Sequence, residues 1–251
     1  MAYAKVVGKL DLYNLAKRNG VAMRTLSKYG TLSNINAGLV GWWKFDEASG
    51  ISAADSSGNA ITGTLVNTPT WVAGKINNAL DFDRASQERV TLASNSALAM
   101  ESGSFTFAAW INPEAFAVNQ WHGIIGCSAV NGASFGIVDG GGNPRIKLTK
   151  VNSADFNSGT QAISTGAWQH VAVVMNRTGT SLTYYLNGVA DTITYPPTTF
   201  FDSGIQSNII GIRYLGDSSS HFDGKIDDAR IYNRALSADD ISALYAVTAP
   251  A

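Results

Sequence analysis

Apolar and polar residues alternate, or form short apolar runs, over most of the chain from Gly38 onward. Glycine, asparagine, aspartate and serine interrupt these runs about every ten residues, which is typical of short strands joined by turns. The pattern predicts strands at Gly41–Phe45, Gly63–Leu65, Ala79–Phe82, Arg89–Leu92, Phe105–Asn112, His122–Cys127, Ser134–Val138, Arg145–Thr149, Trp168–Asn176, Ser181–Leu186, Val189–Thr194, Ser207–Ile212 and Gly224–Tyr232. Strands in this number bury a core only as two packed sheets or a closed barrel, so we predict an all-β domain.

Two local motifs define a turn and a helix within this pattern. Asn187 and Gly188 stand between two strand-like runs, which is the preferred sequence of a type I′ hairpin turn. Ser237 followed three positions later by Asp240 forms a variant capping box ahead of an amphipathic run. We therefore predict a hairpin at the first motif and a helix over Ser237–Ala246 at the second.

A carboxylate interrupts the apolar face of the predicted strand Gly224–Tyr232. Under the two-residue period, Asp227 shares one face with Ala229 and Ile231. Asp228 then points to the opposite face, unless a bulge exchanges the two. Burying an isolated carboxylate costs several kcal/mol, so Asp227 requires a cation, a basic partner or donated N–H groups.

The composition fits one large β domain. The 251 residues carry 45% hydrophobic and 15% charged side chains, enough apolar material for a full core. The single cysteine, Cys127, excludes an intramolecular disulfide framework, and we expect a buried, inert thiol. No apolar run approaches the roughly 20 residues that span a bilayer, and no classical signal-peptide pattern is visible.

Residues 1–37 differ from the rest of the chain in charge. They hold six basic residues and one acidic residue, a net charge of +5, whereas the whole chain has a net charge of −1. Weak periodicity predicts a short amphipathic helix ending at Gly20 and a second one from Val21 to Lys28. We therefore divide the chain into a basic N-terminal arm with helical character, residues 1–37, and a body, residues 38–251.

The charge of the arm predicts an acidic partner. The arm lacks the interleaved aromatic residues of a single-strand binder and any helix-turn-helix or zinc pattern, so nucleic acid is disfavoured. We expect the arm to dock onto protein subunits of a larger assembly. A homo-oligomer of this chain is compatible with that expectation.

The loop Asp55–Asn59, with the sequence DSSGN, is rich in oxygen ligands and contains a glycine that permits a tight bend. Calcium prefers several carboxylate and carbonyl oxygens at flexible geometry, so the loop suits a calcium site. An Asx-turn without an ion explains the same residues equally well. The loop alone leaves both interpretations open.

Several motifs occur in the order that one family of β-sandwiches shows. They are LVGWWKFDE at Leu39–Glu47, DSSGN at Asp55–Asn59, TGTL at Thr62–Leu65, ALDFD at Ala79–Asp83, RVTL at Arg89–Leu92, FTFAAWINP at Phe105–Pro113, WQHVAVV at Trp168–Val174, YYLNG at Tyr184–Gly188 and GKIDDARIYNRALS at Gly224–Ser237. With this set, Gly38–Tyr245 resembles the LamG-like jelly rolls of the concanavalin A-like lectin/glucanase superfamily. The resemblance implies a two-sheet antiparallel β-sandwich with one concave face, and a role in binding glycans or proteins.

The resemblance also implies a calcium ion that joins the early loop to the terminal strand. Carried over to this sequence, the ligands match Asp55, Asn59 and Asp227. The implied role of this Ca²⁺ is structural.

Glucanases share this superfamily, so catalysis requires a direct test. Retaining glucanases carry Glu-x-Asp-x-Glu, or a one-residue-longer variant, on one strand face, with carboxyl groups about 5–5.5 Å apart. None of the four glutamates belongs to such a cluster, and Asp81 and Asp83 fit an acidic turn better. The three histidines, His122, His170 and His221, lie outside any nucleophile-elbow context. We therefore expect no catalytic residues.

Aromatic and polar residues in loops at the rim of the sandwich are the candidate ligand contacts. Sugar recognition stacks apolar ring faces on aromatic side chains and pairs hydroxyl groups with Asn, Asp and Arg. The candidates are Trp121, His122, Asn143, Arg145, Tyr214 and Asp217. Core or inter-sheet packing is the rival interpretation; it is favoured for Trp42, Trp43, Trp110 and Trp168 and evenly balanced for Trp121.

These features predict a non-catalytic, lectin-like binding head for a glycan or host-surface ligand, anchored through its basic arm. The expected location is the surface of a virion or another extracellular or cell-surface structure. A decorating protein with protein contacts only is the first alternative, and a glycoside hydrolase is the less favoured second.

Overall fold

The computed structural model describes residues 24–26, 32–99, 103–127, 132–151, 154–155, 158–179, 181–194 and 208–247. Within these residues the chain forms two antiparallel β-sheets that pack as a sandwich, together with a small two-stranded sheet and a short helix. The predicted all-β, two-sheet antiparallel β-sandwich is therefore confirmed. Its order is that of a jelly roll, in which strands distant in sequence become neighbours.

The bounds of the described elements follow the chain. The strands are β1 (Arg24–Leu26), β2 (Leu32–Asn34), β3 (Leu39–Trp43), β4 (Ser52–Ala53), β5 (Gly63–Val66), β6 (Thr70–Ala73), β7 (Asn78–Phe82), β8 (Arg89–Leu92), β9 (Phe105–Pro113), β10 (Trp121–Gly126), β11 (Ala133–Asp139), β12 (Pro144–Lys150), β13 (Ala154–Asp155), β14 (Gln169–Asn176), β15 (Ser181–Leu186), β16 (Val189–Thr194), β17 (Ile209–Ile210) and β18 (Gly224–Tyr232), and the helix is α1 (Ala238–Val247). Sheet I has the order β16-β15-β14-β9-β18-β7-β6, and β3 also pairs with β18. Sheet II has the order β13-β12-β11-β10-β17-β8-β5-β4.

The inner faces of the two sheets enclose the main hydrophobic core. Phe107 of sheet I and Phe135 of sheet II meet there, with ring centroids 6.3 Å apart. Trp43 is fully buried in this core, as predicted, and its indole N–H donates to the carbonyl of Ile61 at 2.8 Å. Large side chains from both sheets thus exclude water from the space between them.

Strand β18 lies in the middle of sheet I and carries a bulge. Its register against β9 shifts after Asp227, and Asp228 adopts a left-handed φ of 50°. Ile226 before the bulge and Ala229 after it both face the main core, whereas Asp227 lies opposite Trp110 on the outer face. The prediction that Asp227 shares a face with Ala229 is therefore wrong, because the extra residue of the bulge changes the alternation.

The bulge places a buried ion pair on the outer face of sheet I. Arg230 Nη2 lies 2.9 Å from Asp228 Oδ2, and both side chains are almost fully buried. Trp42 donates its indole N–H to Asp228, and the Arg230 guanidinium lies 4.2 Å from the centroid of the Trp42 ring. Trp42 therefore packs outside the core and contacts both members of the ion pair.

A smaller hydrophobic core lies outside sheet I, beneath α1. Ile35 is 1% exposed and packs in this core with Ile241 of α1. Arg234 Nε donates to the carbonyl of Ala37 at 2.6 Å. Residues 34–37 thus pack against the body, so the packed structure begins ahead of the predicted boundary at residue 37.

The arm is not helical where the structure describes it. Arg24–Leu26 forms a strand that pairs antiparallel with Leu32–Asn34, so the helix predicted over Val21–Lys28 is wrong at those residues. Inter-strand hydrogen bonds outweigh the weak helical periodicity of so short a segment. The helix predicted to end at Gly20 lies outside the described residues.

The two local motifs adopt the predicted geometry. Asn187 and Gly188 both have positive φ angles, 50° and 78°, as a type I′ turn requires. The Asp240 N–H donates to Ser237 Oγ at 3.1 Å, and the Ser237 N–H donates to Asp240 Oδ2 at 3.2 Å. This reciprocal capping box begins α1 at Ala238, one residue after the predicted start.

Ile35 tests where the packed body begins. We expect Ile35→Ala to lower the free energy of unfolding by about 2–5 kcal/mol, because a buried isoleucine that is truncated leaves a cavity. Chemical denaturation measures the change. The matched control is Asn36→Ala, at the exposed neighbouring position, with an expected change below about 0.5 kcal/mol. Equal effects of the two substitutions would contradict the packing of this segment.

Candidate functional site

Trp121 lies on the outer face of sheet II, in register with residues of two neighbouring strands. Trp121 pairs with Val138, and Val138 pairs with Arg145. Directly opposed residues share a face, as do residues two apart on one strand, so Lys147 lies on this face too. The alternate position, Ile137, points into the main core. These half-buried side chains therefore lie next to one another on the outer face of sheet II.

A second segment, residues 212–220, crosses this outer face above a glycine. A Cβ atom on Gly123 would collide with the backbone of Arg213, so only glycine permits this close approach. The Cys127 N–H donates to the carbonyl of Arg213 at 3.1 Å and holds the crossing in place. The segment thereby brings Arg213 against Trp121.

Two cationic side chains lie over the Trp121 ring. Arg213 Cζ is 4.7 Å and Lys147 Nζ is 5.6 Å from the ring centroid. Arg213 Cζ also lies 5.8 Å from the centroid of Tyr214, and Arg213 Nη1 is 3.8 Å from Asp217 Oδ2. We call this region the Trp121 surface, defined by Trp121, Arg145, Lys147, Arg213, Tyr214 and Asp217.

The structure brings most of the predicted ligand residues to this region. Trp121, Tyr214 and Asp217 are joined through their shared neighbour Arg213. Arg145 lies on the same face, and its Nη2 donates to Asn143 Oδ1 at 3.1 Å, which places Asn143 beside the Trp121 surface. These predicted residues, from three separate parts of the sequence, therefore form one surface.

Sequence reasoning missed Lys147 and Arg213. Lys147 had a usable signal, because it alternates with Arg145 in a predicted strand and so shares its face. Arg213 had none, since its position over Trp121 depends on a crossing between segments that are distant in the chain.

His122 is not part of this surface. It pairs with Ile137, points inward and is 1% exposed. Its Nδ1 accepts from Arg84 Nη1 at 2.9 Å, so the ring proton is on Nε2, which lies 3.4 Å from the carbonyl oxygen of Ala117 and donates to it. Burial, followed by the charge of Arg84, lowers the pKa of His122 to about 4. The neutral imidazole thus joins loops internally, which corrects its prediction as a ligand residue.

The predicted calcium loop is satisfied by its own hydrogen bonds. Asp55 Oδ1 accepts from the N–H groups of Trp42 and Ser57, at 3.0 and 2.8 Å. Asp55 Oδ2 accepts from the Ile61 N–H at 3.0 Å and from Ser57 Oγ at 2.8 Å. Asn59 donates its side-chain amide to backbone carbonyls, among them Val40 at 2.8 Å. The loop therefore forms the Asx-turn that the sequence allows.

Asp227 lies in different surroundings. Its Oδ2 accepts from the Ile76 N–H at 2.8 Å, while its buried Oδ1 has no hydrogen-bond partner among the described residues. Burial raises the pKa of Asp227 to about 8, and the nearby charges of Asp228 and Asp46 act in the same direction. A Cβ on Gly74 would approach Asp227 Oδ2 to 2.8 Å, so only the glycine leaves room there. This half of the predicted calcium site fits a cation.

Asp55 and Asn59 both hydrogen-bond to Ser57, whereas Asp227 shares no hydrogen-bond partner with either of them within the part of the chain that the structure describes. The described residues also contain no cluster of three or more His, Cys, Asp or Glu suited to a metal. Calcium binding stays a prediction, and Asp227 is its best-supported ligand.

The carboxylates considered for catalysis make structural contacts. Asp81 lies 3.7 Å from Lys225 Nζ, which also pairs with Glu114, and burial raises the pKa of Asp81. Asp83 accepts from Ser86 Oγ at 2.6 Å, and this hydrogen bond lowers its pKa. The first carboxylate thus belongs to an ion-pair group and the second to a turn.

The sandwich and its strand order agree with a comparison against protein families. The model of the Laminin_G_3 family, in the concanavalin A-like lectin/glucanases superfamily, matches residues 84–242. The chain belongs to this family, as its motifs predicted.

Solved structures share the fold at low sequence identity. Domain 4 of AbnA, an extracellular GH43 arabinanase from Geobacillus stearothermophilus solved with arabinotriose, is 21% identical with a TM-score of 0.63, covering 82% of this chain and 98% of that chain. The binding domain of Paraclostridial Mosquitocidal Protein 1 is 17% identical with a TM-score of 0.65, covering 84% and 52%. A structure of botulinum neurotoxin type C, whose cell entry depends on interaction with two ganglioside molecules, is 20% identical with a TM-score of 0.63, covering 86% and 52%.

The present chain spans about half of those toxin chains. No curated protein matches the sequence. Within the described residues, no helix has the length and apolar character needed to cross a membrane.

Proposed function

We propose that this domain is a non-catalytic module that binds a glycan at the Trp121 surface. The observation that carries the proposal is the gathering of Trp121 and Tyr214 with Arg145, Arg213 and Asp217 on one outer face. Glycans are recognised by aromatic side chains together with polar groups that hydrogen-bond to sugar hydroxyls. This surface supplies both kinds of group.

Relatives of the same fold support this proposal. The AbnA domain was solved with arabinotriose, and the botulinum neurotoxin type C structure concerns interaction with gangliosides. Because AbnA is extracellular and cell entry of botulinum neurotoxin type C depends on interaction with gangliosides, we infer an extracellular or surface location for this domain as well.

Substitution of Trp121 tests the proposed site. A glycan array with the intact protein identifies a ligand, and we expect Trp121→Ala to weaken its affinity by about tenfold or more, as truncation of a central aromatic contact does. Calorimetric titration measures the affinity. Trp168→Ala, at a half-buried tryptophan next to β14 of sheet I, is the matched control and retains binding. Loss of affinity in the control alone would place the glycan site away from the Trp121 surface, and no array signal at all would favour a decorating protein with protein contacts only.

We also propose that the basic arm attaches the domain to a larger assembly such as a virus particle. The support is the net charge of +5 over residues 1–37, which suits an acidic protein surface.

Deletion of residues 1–31, ahead of the packed Ile35, tests the role of the arm. We expect the melting temperature of the isolated protein to be kept, and incorporation into the assembly to be lost because the basic docking segment is gone. Sedimentation of the assembly measures incorporation. Full incorporation of the shortened protein would show that the arm is not the anchor.

We propose, third, that a structural calcium ion binds at Asp227. The unpartnered Oδ1 of Asp227 supports this site, and Asp46 is the neighbouring carboxylate that would share the ion. Calcium would supply positive charge to oxygen ligands that are otherwise buried without compensation.

Calcium and pH should act together on stability through Asp227. Burial raises the pKa of Asp227 to about 8, so without calcium the protonated carboxyl stabilises the folded state fully at pH values below the unfolded pKa of about 3.9. This stabilisation is lost as the pH rises through 8, by up to about 1.4 kcal/mol per pH unit. Calcium should therefore raise the melting temperature more at pH 9 than at pH 6. Calorimetric melting in calcium or chelator measures this effect.

Two isosteric variants separate the possible ligand sets. Asp227→Asn should remove the calcium response, because the ligand charge is lost. Asp55→Asn should lower stability and leave the calcium response intact, because the Asp55 oxygens serve the loop. A response that survives in Asp227→Asn and vanishes in Asp55→Asn would overturn this assignment.

A further inference from the structure

The segment that crosses the outer face of sheet II, residues 212–220, is held to the body by backbone and side-chain hydrogen bonds. The backbone hydrogen bond described above holds its start, and the Gly123 N–H donates to the carbonyl of Ser220 at 2.9 Å near its end. Between these two places, Arg84 donates through Nη2 to the carbonyl of Ser219. Arg84 therefore fixes a part of the segment that lies between its backbone attachments.

A chain of contacts leads from Arg84 to the Trp121 surface. The N–H and Oγ of Ser219 donate to Asp217 Oδ1, at 3.1 and 2.6 Å. Asp217 Oδ2 lies 3.8 Å from Arg213 Nη1, and the Arg213 guanidinium lies over the ring of Trp121. Displacement of Arg84 would therefore disturb the position of Arg213 on the binding surface.

His122 in turn holds Arg84. Its Nδ1 accepts from Arg84 Nη1 at 2.9 Å, and its ring packs edge-on against Phe116, with centroids 5.2 Å apart. The charged groups that act on this imidazole are Arg84 and Asp139, and Asp139 Oδ1 itself accepts from two backbone N–H groups at 2.7 Å. Because an arginine side chain has donors only, the arrangement needs a neutral His122 whose Nδ1 carries no proton.

Protonation of His122 would remove the acceptor that holds Arg84. A proton on Nδ1 turns this nitrogen into a donor, so two donors would face each other at hydrogen-bond distance. The imidazolium and the guanidinium would also repel each other, because both carry a positive charge. The His122 side chain is 1% exposed, so solvent screens this repulsion poorly.

His221 also lies near Arg84 but responds differently to a proton. Its Nδ1 lies 3.2 Å from the carbonyl oxygen of Ser218 and donates to it. Arg84 and Arg89 oppose protonation of this imidazole electrostatically, whereas Asp217 favours it. Since Nδ1 of His221 already carries its proton, protonation of the ring leaves this hydrogen bond intact.

We propose that Arg84 is a positioning residue for the Trp121 surface and that protonation of His122 releases it, so that acid weakens glycan binding. This inference rests on the proposed function, since it concerns the regulation of the same surface. Arg84 acts through the crossing segment and not by contact with the glycan.

The direction of the pH dependence follows from the burial of His122. Burial, followed by the charge of Arg84, lowers the pKa of His122 from 6.5 to about 4 while the segment is held. Release of Arg84 would bring this pKa back toward its ordinary value. The held state is therefore favoured fully above pH 6.5, and each unit of pH below that favours the released state by up to about tenfold, until about pH 4.

NMR of the full chain measures the release without any ligand. We expect the indole N–H signal of Trp121 to move between pH 7 and pH 4.5 together with the ring signals of His122, while that of Trp43 in the main core stays in place. A Trp121 signal that does not respond would overturn the release. Equal changes of all six indole signals would also overturn it, because they would report unfolding of the whole domain.

Two histidine variants assign the response. His122→Asn offers Arg84 a side-chain oxygen as acceptor but does not titrate, so the acid response of the Trp121 signal should be lost. His170→Asn is the matched control, because His170 is also buried and its pKa is lowered by burial and by an arginine, Arg230, on sheet I. This control should keep the Trp121 response, and melting temperatures show that both variants fold. A response that persists in His122→Asn, or that disappears only in His170→Asn, would overturn the assignment.

An arginine variant tests the positioning role directly. Arg84→Gln should show the acid form of the Trp121 signal already at pH 7 and bind the strongest neutral oligosaccharide of the array about tenfold more weakly, with little further change at pH 4.5. Arg89→Gln is the matched control, because Arg89 lies near His221 and donates to the carbonyl of Gln87 at 3.3 Å. Wild-type affinity and pH response in this control support the assignment, and an equal loss there overturns it.

The affinity at two pH values separates this inference from the proposed function. The wild-type protein should bind the same neutral oligosaccharide about tenfold or more weakly at pH 4.5 than at pH 7. Equal affinity at both pH values would overturn the release and leave glycan binding standing. A Trp121 signal that responds to acid in a protein that binds no glycan would overturn the proposed function and leave the release of Arg84 standing.

Discussion

The register of strand β18 determines how the sandwich divides its polar and apolar side chains. This strand lies between β9 on one side and β3 and β7 on the other, so every side chain it turns inward meets the main core. A one-residue bulge at Asp228 lets Ile226 and Ala229 both face inward although they are three positions apart. Without the bulge, one half of the strand would direct charged side chains into the core.

The charges turned outward by this bulge are still buried, because Trp42 lies against Asp228 and Arg230, and residues 74–76 lie against Asp227. Asp228 and Arg230 compensate each other there. Burial raises the pKa of Asp227, and its Oδ1 has no hydrogen-bond partner among the described residues, so Asp227 is the best-supported cation ligand there. One local irregularity of the backbone therefore produces both the stable ion pair and the candidate calcium ligand.

Sheet II brings segments that are distant in the sequence to one surface. Gly123 allows the 212–220 segment to lie directly on the sheet, and this contact carries Arg213 to Trp121. Side chains from β10, β12 and the crossing segment then meet outside the core. The candidate binding surface thus depends on a glycine that carries no side chain of its own.

Periodicity alone located most strands, and it placed β8, β15 and β18 at their observed bounds. It missed short strands such as Thr70–Ala73, whose four residues are too few to show an alternation. The orientation of Asp227 was predicted wrongly because a bulge leaves no clear mark in a period-two pattern. Their predicted position in rim loops identified Trp121, Tyr214 and Asp217 as candidate ligand contacts. Arg213 could not be identified in this way, because its position over Trp121 depends on a crossing between segments that are distant in the chain.

The central claim is that ligand binds on the outer face of sheet II and not beneath α1 on sheet I. The chain has six tryptophans, and their indole N–H groups give separate NMR signals that single substitutions assign. Titration with a binding oligosaccharide should shift the Trp121 signal most strongly and leave those of Trp42 and Trp110 unchanged. A shift confined to Trp42 and Trp110 would place the ligand on sheet I and contradict this account.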